Sequence, residues 1–132
     1  MADNVNHPTH YTSHPSGVEC IDIVEQLNFN LGNAFKYVFR YTLKNGVEDL
    51  KKAHWYCKRE LARVNNLPDV SCASASEARE TMSKIFDLVR QEPNQGIAEI
   101  YKNLVLCHFR GTTAPQMSEK LHKVIQLIEQ CQ

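Results

Sequence analysis

No stretch of this sequence stays apolar for the roughly 20 residues that a bilayer span requires, so no membrane segment is expected. Basic and acidic residues cancel, fifteen against fifteen, which leaves no overall field to draw the chain to nucleic acid or an anionic membrane. Any anion site must therefore be local. The five cysteines (Cys20, Cys57, Cys72, Cys107 and Cys131) contain no C-x-x-C pair. Their odd number and wide spacing argue against a disulfide framework. They fit no standard zinc scheme either, even with His7 or His10 added. They read as reduced small hydrophobes, and no zinc is expected. No run alternates apolar and polar residues long enough to make a strand. A phosphate-cradling G-x-x-x-x-G-K-[ST] loop is also missing, since "GNAFKY" does not satisfy it. The polar, His-rich N-terminus lacks the apolar centre of a signal peptide, so the expected compartment is the cytoplasm.

What is present is helical periodicity. A length of 132 residues at 42% hydrophobic composition suits one domain, or one compact core with an appendage. Residues 1–16, with two prolines, three histidines and no apolar period, read as an extended arm tied down by Tyr11. A first helix is expected in "GVECIDIVEQL", with Glu19 and Asp22 near its positive end. A second is expected over "NFNLGNAFKYVFRYTLK", capped by Asn30 and stopped by Asn45-Gly46. "VEDLKKAHWYCKRELARV" is the third, burying Leu50, Ala53, Cys57, Leu61 and Val64. Residues 66–76 carry Pro68 and no period, and read as a linker. Residues 77–132 carry three further amphipathic patterns, including the set Leu121, Val124, Ile125 and Ile128. The expected fold is all-α with about six helices: an N-terminal three-helix domain over 17–65 and a C-terminal helical appendage.

The chemistry is concentrated in the second and third helices. Asn33, Lys36, Tyr37, Arg40 and Lys44 recur at intervals that place them on one side of a helix. Asp49, Lys52, Tyr56 and Arg59 make a similar stripe on the next. A short turn folds such helices antiparallel, so the two stripes are expected to line one groove. There Lys36, Arg40, Lys44 and Lys52 would meet phosphate, and Tyr37, Trp55 or Tyr56 would stack on a base. The plainer alternative is a solvated face whose cations pair with Glu48, Asp49 and Glu60.

The pattern "HPTHY … GVECIDIVE … F … GNAFKYVFR … K … DLKKAHWYCKR" resembles the small phage domain of a phage nucleotide kinase and of SaV-like proteins. The resemblance spans residues 7 to about 61. It departs from the family pattern at Thr42, where a glycine is usual, and does not extend beyond Asn65. It implies a phage-encoded protein acting in an infected cell, with nucleotide handling as its activity. The resemblance also implies that the arm, through His10 and Tyr11, folds over the groove.

Three functions follow as expectations. The first is a nucleotide-binding protein, extending to a nucleoside monophosphate kinase without a P-loop. Lys36 and Arg40 would then stabilise the transferred charge. His10, Tyr11, Asn33, Tyr37, Lys44, Lys52, Trp55, Tyr56 and Arg59 would hold the substrate, which is ATP or another nucleotide, and Glu19 and Asp22 would hold magnesium. The second is a magnesium-dependent nucleotide pyrophosphohydrolase using Glu19, Asp22, Glu25, Glu48 and Asp49, although its usual E-x-x-E and E-x-x-D arrangement is absent. The third is a non-enzymatic accessory protein that blocks a host defence factor or sequesters a nucleotide signal. A homo-oligomer is expected, because three short helices after the linker offer little core of their own.

Overall fold

The computed structural model describes residues 5–6, 8–66, 75–108 and 113–132, with the backbone alone for residue 10 and residues 75–79. His7 and most of the expected linker lie outside the described residues. Among the described residues there are helices and turns and no strand, as the periodicity requires. A single turn, α1 (Thr9–Thr12), precedes α2 (Cys20–Val24), α3 (Phe29–Arg40) and α4 (Val47–Val64). Then follow α5 (Ala75–Gln91), α6 (Gln95–Leu106) and α7 (Ala114–Cys131). No helix among the described residues is long and apolar enough to cross a membrane.

Local chemistry explains where the elements begin and end. The α2 helix starts later than its apolar pattern, at Cys20, because Glu19 and Asp22 form a capping box there. The cap of α3 is Asn28, whose Oδ1 accepts the Leu31 N–H at 2.9 Å, and not Asn30, which falls in the first turn. This helix also ends early, at Arg40. The Leu43 N–H bonds back to the Arg40 carbonyl at 2.9 Å, and the Gly46 N–H to the Tyr41 carbonyl at 2.8 Å. The chain thereby closes a tight turn that Gly46 completes at φ 55°, a conformation that favours glycine. The α7 helix opens on Thr113 with a capping box to Gln116 and a proline in its first turn.

The arm is not extended throughout, since α1 turns it onto the body and Tyr11 packs against the core. The C-terminal helices do not stand apart either. The α7 helix packs on α4 and α6, and α6 reaches α3. Phe35 and Tyr101 lie 4.8 Å apart between ring centroids, joining α3 to α6 in one buried cluster. Each such fully buried large side chain contributes about 1.5–3 kcal/mol. Leu121, Val124 and Ile128, from the apolar set of the last amphipathic pattern, are covered within this chain.

Candidate functional site

The charged residues of the α3–α4 hairpin form a buried set and a set that reaches the surface wholly or in part. Arg40 is in the first. It is 8% exposed, and it donates from Nε to Asp49 Oδ2 at 3.2 Å and from Nη2 to Oδ1 at 3.1 Å. Its third nitrogen, Nη1, donates to the Tyr11 hydroxyl at 3.0 Å. Asp49 is fully buried and also accepts the Asn45 N–H at 3.1 Å. Burial alone would lower the Arg40 pKa, but the bonds to Asp49 and Tyr11 hold it above its ordinary value. This corrects the expectation that Arg40 is a surface phosphate binder. Its guanidinium closes the α3–α4 turn and latches the arm.

Lys44 is likewise not on the α3 stripe, because the helix has already ended; it is exposed in the turn. Asn33 stays on α3 but bonds its own helix, donating from Nδ2 to the Phe29 carbonyl at 2.8 Å. Tyr11 is engaged by Arg40, and of His10 only the helical backbone is described. Glu19 and Asp22 do not fit a magnesium ion. Both belong to the α2 cap, and Asp22 Oδ1 faces Lys84 Nζ at 3.8 Å. Among the described residues no three His, Cys, Asp or Glu side chains gather as a metal site, which leaves the five carboxylates of the pyrophosphohydrolase arrangement unassembled.

The residues that do converge are aromatic. The Tyr37 and Tyr56 rings are nearly parallel, 15° apart with centroids at 6.0 Å. Phe29 and Trp55 meet Tyr56 edge-on at 6.0 and 5.0 Å. The Tyr37 end of this row is cationic. Lys36 Nζ, Arg40 Cζ and Lys52 Nζ lie 4.5, 4.8 and 5.4 Å from its centroid, within the range where a ring face attracts a cation. The other end opens into a recess of about 690 Å³ lined by Phe29, Asn30, Trp55, Tyr56, Arg59, Ala62 and Arg63. Phe29 is 74% and Trp55 59% exposed there. Arg59 is exposed and has no ion-pair partner among the described residues.

Beneath the recess lies Glu60, 2% exposed. Its carboxylate accepts from Asn28 Nδ2 at 2.7 Å, Asn30 Nδ2 at 3.2 Å, and Arg63 Nε and Nη2 at 2.7 and 2.8 Å. Burial by itself would raise the Glu60 pKa, but the bonds from Arg63, Asn28 and Asn30 hold it below the ordinary carboxylate value. This one carboxylate fixes the start of α3 against the end of α4, and with it two lining residues of the recess. The sequence reading assigned Glu60 to surface pairing and did not single out Asn30, Phe29 or Arg63 as site residues. A signal for Glu60 existed: Leu50, Ala53, Cys57, Glu60 and Val64 follow an unbroken four-three alternation, so Glu60 shares the buried stripe.

Two other recesses are present. One, of about 250 Å³, lies between the arm and α2–α3, with Lys36 at its border. The other, of about 400 Å³, holds His14, which bonds from Nε2 to Glu92 at 2.8 Å, while its Nδ1 accepts the Ser16 N–H at 3.1 Å.

Residues 5–58 match a family described as a protein of unknown function, DUF3310. The match contains Tyr37, Asp49, Trp55 and Tyr56 and stops just before Arg59, Glu60 and Arg63. No curated protein and no solved structure matches the chain.

Proposed function

We propose that the α3–α4 face binds a nucleotide, with the base stacked on the exposed ring of Trp55 and the phosphate held by Arg59. The observation that carries this reading is the pairing of an open aromatic recess with an arginine that no carboxylate engages. Stacking on an aromatic face contributes about 1–3 kcal/mol per base. A guanidinium offers two parallel donors to phosphate oxygens. Chain neutrality does not oppose this, because the charge that matters is local.

Binding is favoured over phosphoryl transfer. The kinase reading needed Arg40 to stabilise transferred charge, and Arg40 is committed to Asp49 and Tyr11. A second reading, the non-enzymatic accessory protein that blocks a host factor, rests on the exposure of Phe29 and Trp55, which suits a protein partner as an aromatic anchor.

A melting screen separates the two. A nucleotide at a hundred times its dissociation constant adds about 2.7 kcal/mol of stability, read as a higher melting temperature. Adenosine and inorganic phosphate, each offering half of the interaction, give smaller shifts. If no nucleoside mono-, di- or triphosphate moves the transition, the nucleotide reading fails and the protein-partner reading gains.

A further inference from the structure

Asn30 has a fixed orientation. A carboxylate only accepts hydrogen bonds, so the amide edge that meets Glu60 at 3.2 Å must be the NH₂. Glu60 is buried and receives four donors, which leaves it no reason to protonate and reverse the polarity. Asn30 Oδ1 is therefore turned off Glu60, has no hydrogen-bond partner among the described residues, and belongs to a residue lining the aromatic recess. Among the described residues no side-chain oxygen or nitrogen is both buried and unsatisfied, so Oδ1 is open to solvent or ligand. An aromatic shelf with a single oriented acceptor at its edge has a polarity that a plain shelf lacks.

From this we infer that the recess selects a base carrying an exocyclic amino group, which donates to Asn30 Oδ1 while the ring stacks on Trp55. Adenine, cytosine and guanine each carry such an amino group, whereas uracil presents only oxygens outside its ring. Glu60 is a positioning residue for this choice, since it acts on the ligand only through Asn30. The inference rests on the nucleotide reading above and adds the ligand's polarity to it.

Calorimetric titration with AMP and with purine riboside 5′-monophosphate, which lacks only the amino group, tests it. AMP should bind about tenfold more tightly, the effect of one hydrogen bond. In Asn30→Ala, AMP should fall to the level of the deaminated compound, whose own affinity stays unchanged. In Glu60→Gln the side-chain amide can present either edge, Asn30 can turn over, and the preference should shrink. Equal binding of the two nucleotides by the parent protein, or a preference that survives Asn30→Ala, overturns the inference and leaves the nucleotide reading standing. Binding of neither compound overturns both. The parent comparison requires no variant to fold.

Discussion

Arg40 and Asp49 face each other across the α3–α4 turn through two nearly parallel bonds of 3.2 and 3.1 Å, with Asp49 wholly withdrawn from water. The turn between them is only as long as the pair allows. Asp49 also holds the Asn45 N–H, so one carboxylate secures the helix end, the turn and the arm's anchor.

Removing one partner of a buried pair leaves the other charge uncompensated, at a cost of about 3–5 kcal/mol. Arg40→Ala and Asp49→Ala should each lower urea stability by that amount, whereas Arg40→Met with Asp49→Leu should recover most of it. Lys36→Ala, on the outer face, should stay within about 0.5 kcal/mol of the parent. Equal, small effects at Arg40 and Lys36 would show that the pair is not structural.

Glu60 gives the stability an acid limb. Its folded-state pKa lies below the ordinary 4.5, so the ionised form is the one that folding favours. That contribution is complete above about pH 4.5 and is lost as pH falls through the folded-state value. Glu60→Gln should cost about 1–3 kcal/mol at neutral pH. It should also flatten the dependence of melting temperature on pH in the acid range. A variant that reproduces the parent's acid limb would place the responsible carboxylate elsewhere.

The Cys20 and Cys57 thiols should be inert in the folded protein. Burial pushes Cys20 up to about 12, with Lys36 opposing it slightly, and raises Cys57 further. The thiolate is the reactive form. Alkylation of Cys20 and Cys57 at pH 8 should therefore be on the order of 1,000-fold or more slower than in urea. Cys131, only half-buried, should be modified before them. Peptide mapping by mass spectrometry reads the order directly.

The helices were legible where local signals agreed. The α4 helix occupies its expected span because the Asn45-Gly46 stop, the acidic first turn and the apolar stripe all point to the same ends. The burial of Arg40 and Asp49 was not legible, and that of Glu60 showed only in its place on the four-three stripe of α4. A helical wheel shows which side a charge occupies, but not whether a facing helix brings it a partner. On such a wheel Arg40 sits beside Lys36, and only Asp49 from the next helix separates their fates. That Tyr37, Trp55 and Tyr56 lie together on the facing stripes of α3 and α4 was legible. The role of Asn30 was hidden behind its expected position as a cap, which Asn28 takes two residues earlier.

The His14–Glu92 contact ties the arm to the loop between α5 and α6. His14→Ala should cost about 1 kcal/mol and speed hydrogen exchange at the Tyr11 amide, which bonds the Pro8 carbonyl at 2.9 Å. AMP affinity should not change, because the contact lies away from the aromatic shelf. Unchanged exchange would mean that Tyr11 and Arg40 hold the arm without it.

Trp55 is the only tryptophan in the chain and stands in the shelf, so its emission reports on the proposed site directly. Titration of the parent with AMP should give saturable quenching with a midpoint between roughly 1 μM and 1 mM, the usual span for metabolite sites. Arg59→Ala should weaken that midpoint about tenfold through loss of a charge-assisted bond, with an unchanged melting temperature. Quenching that rises linearly without saturation, or a midpoint indifferent to Arg59, would contradict nucleotide binding at the α3–α4 face.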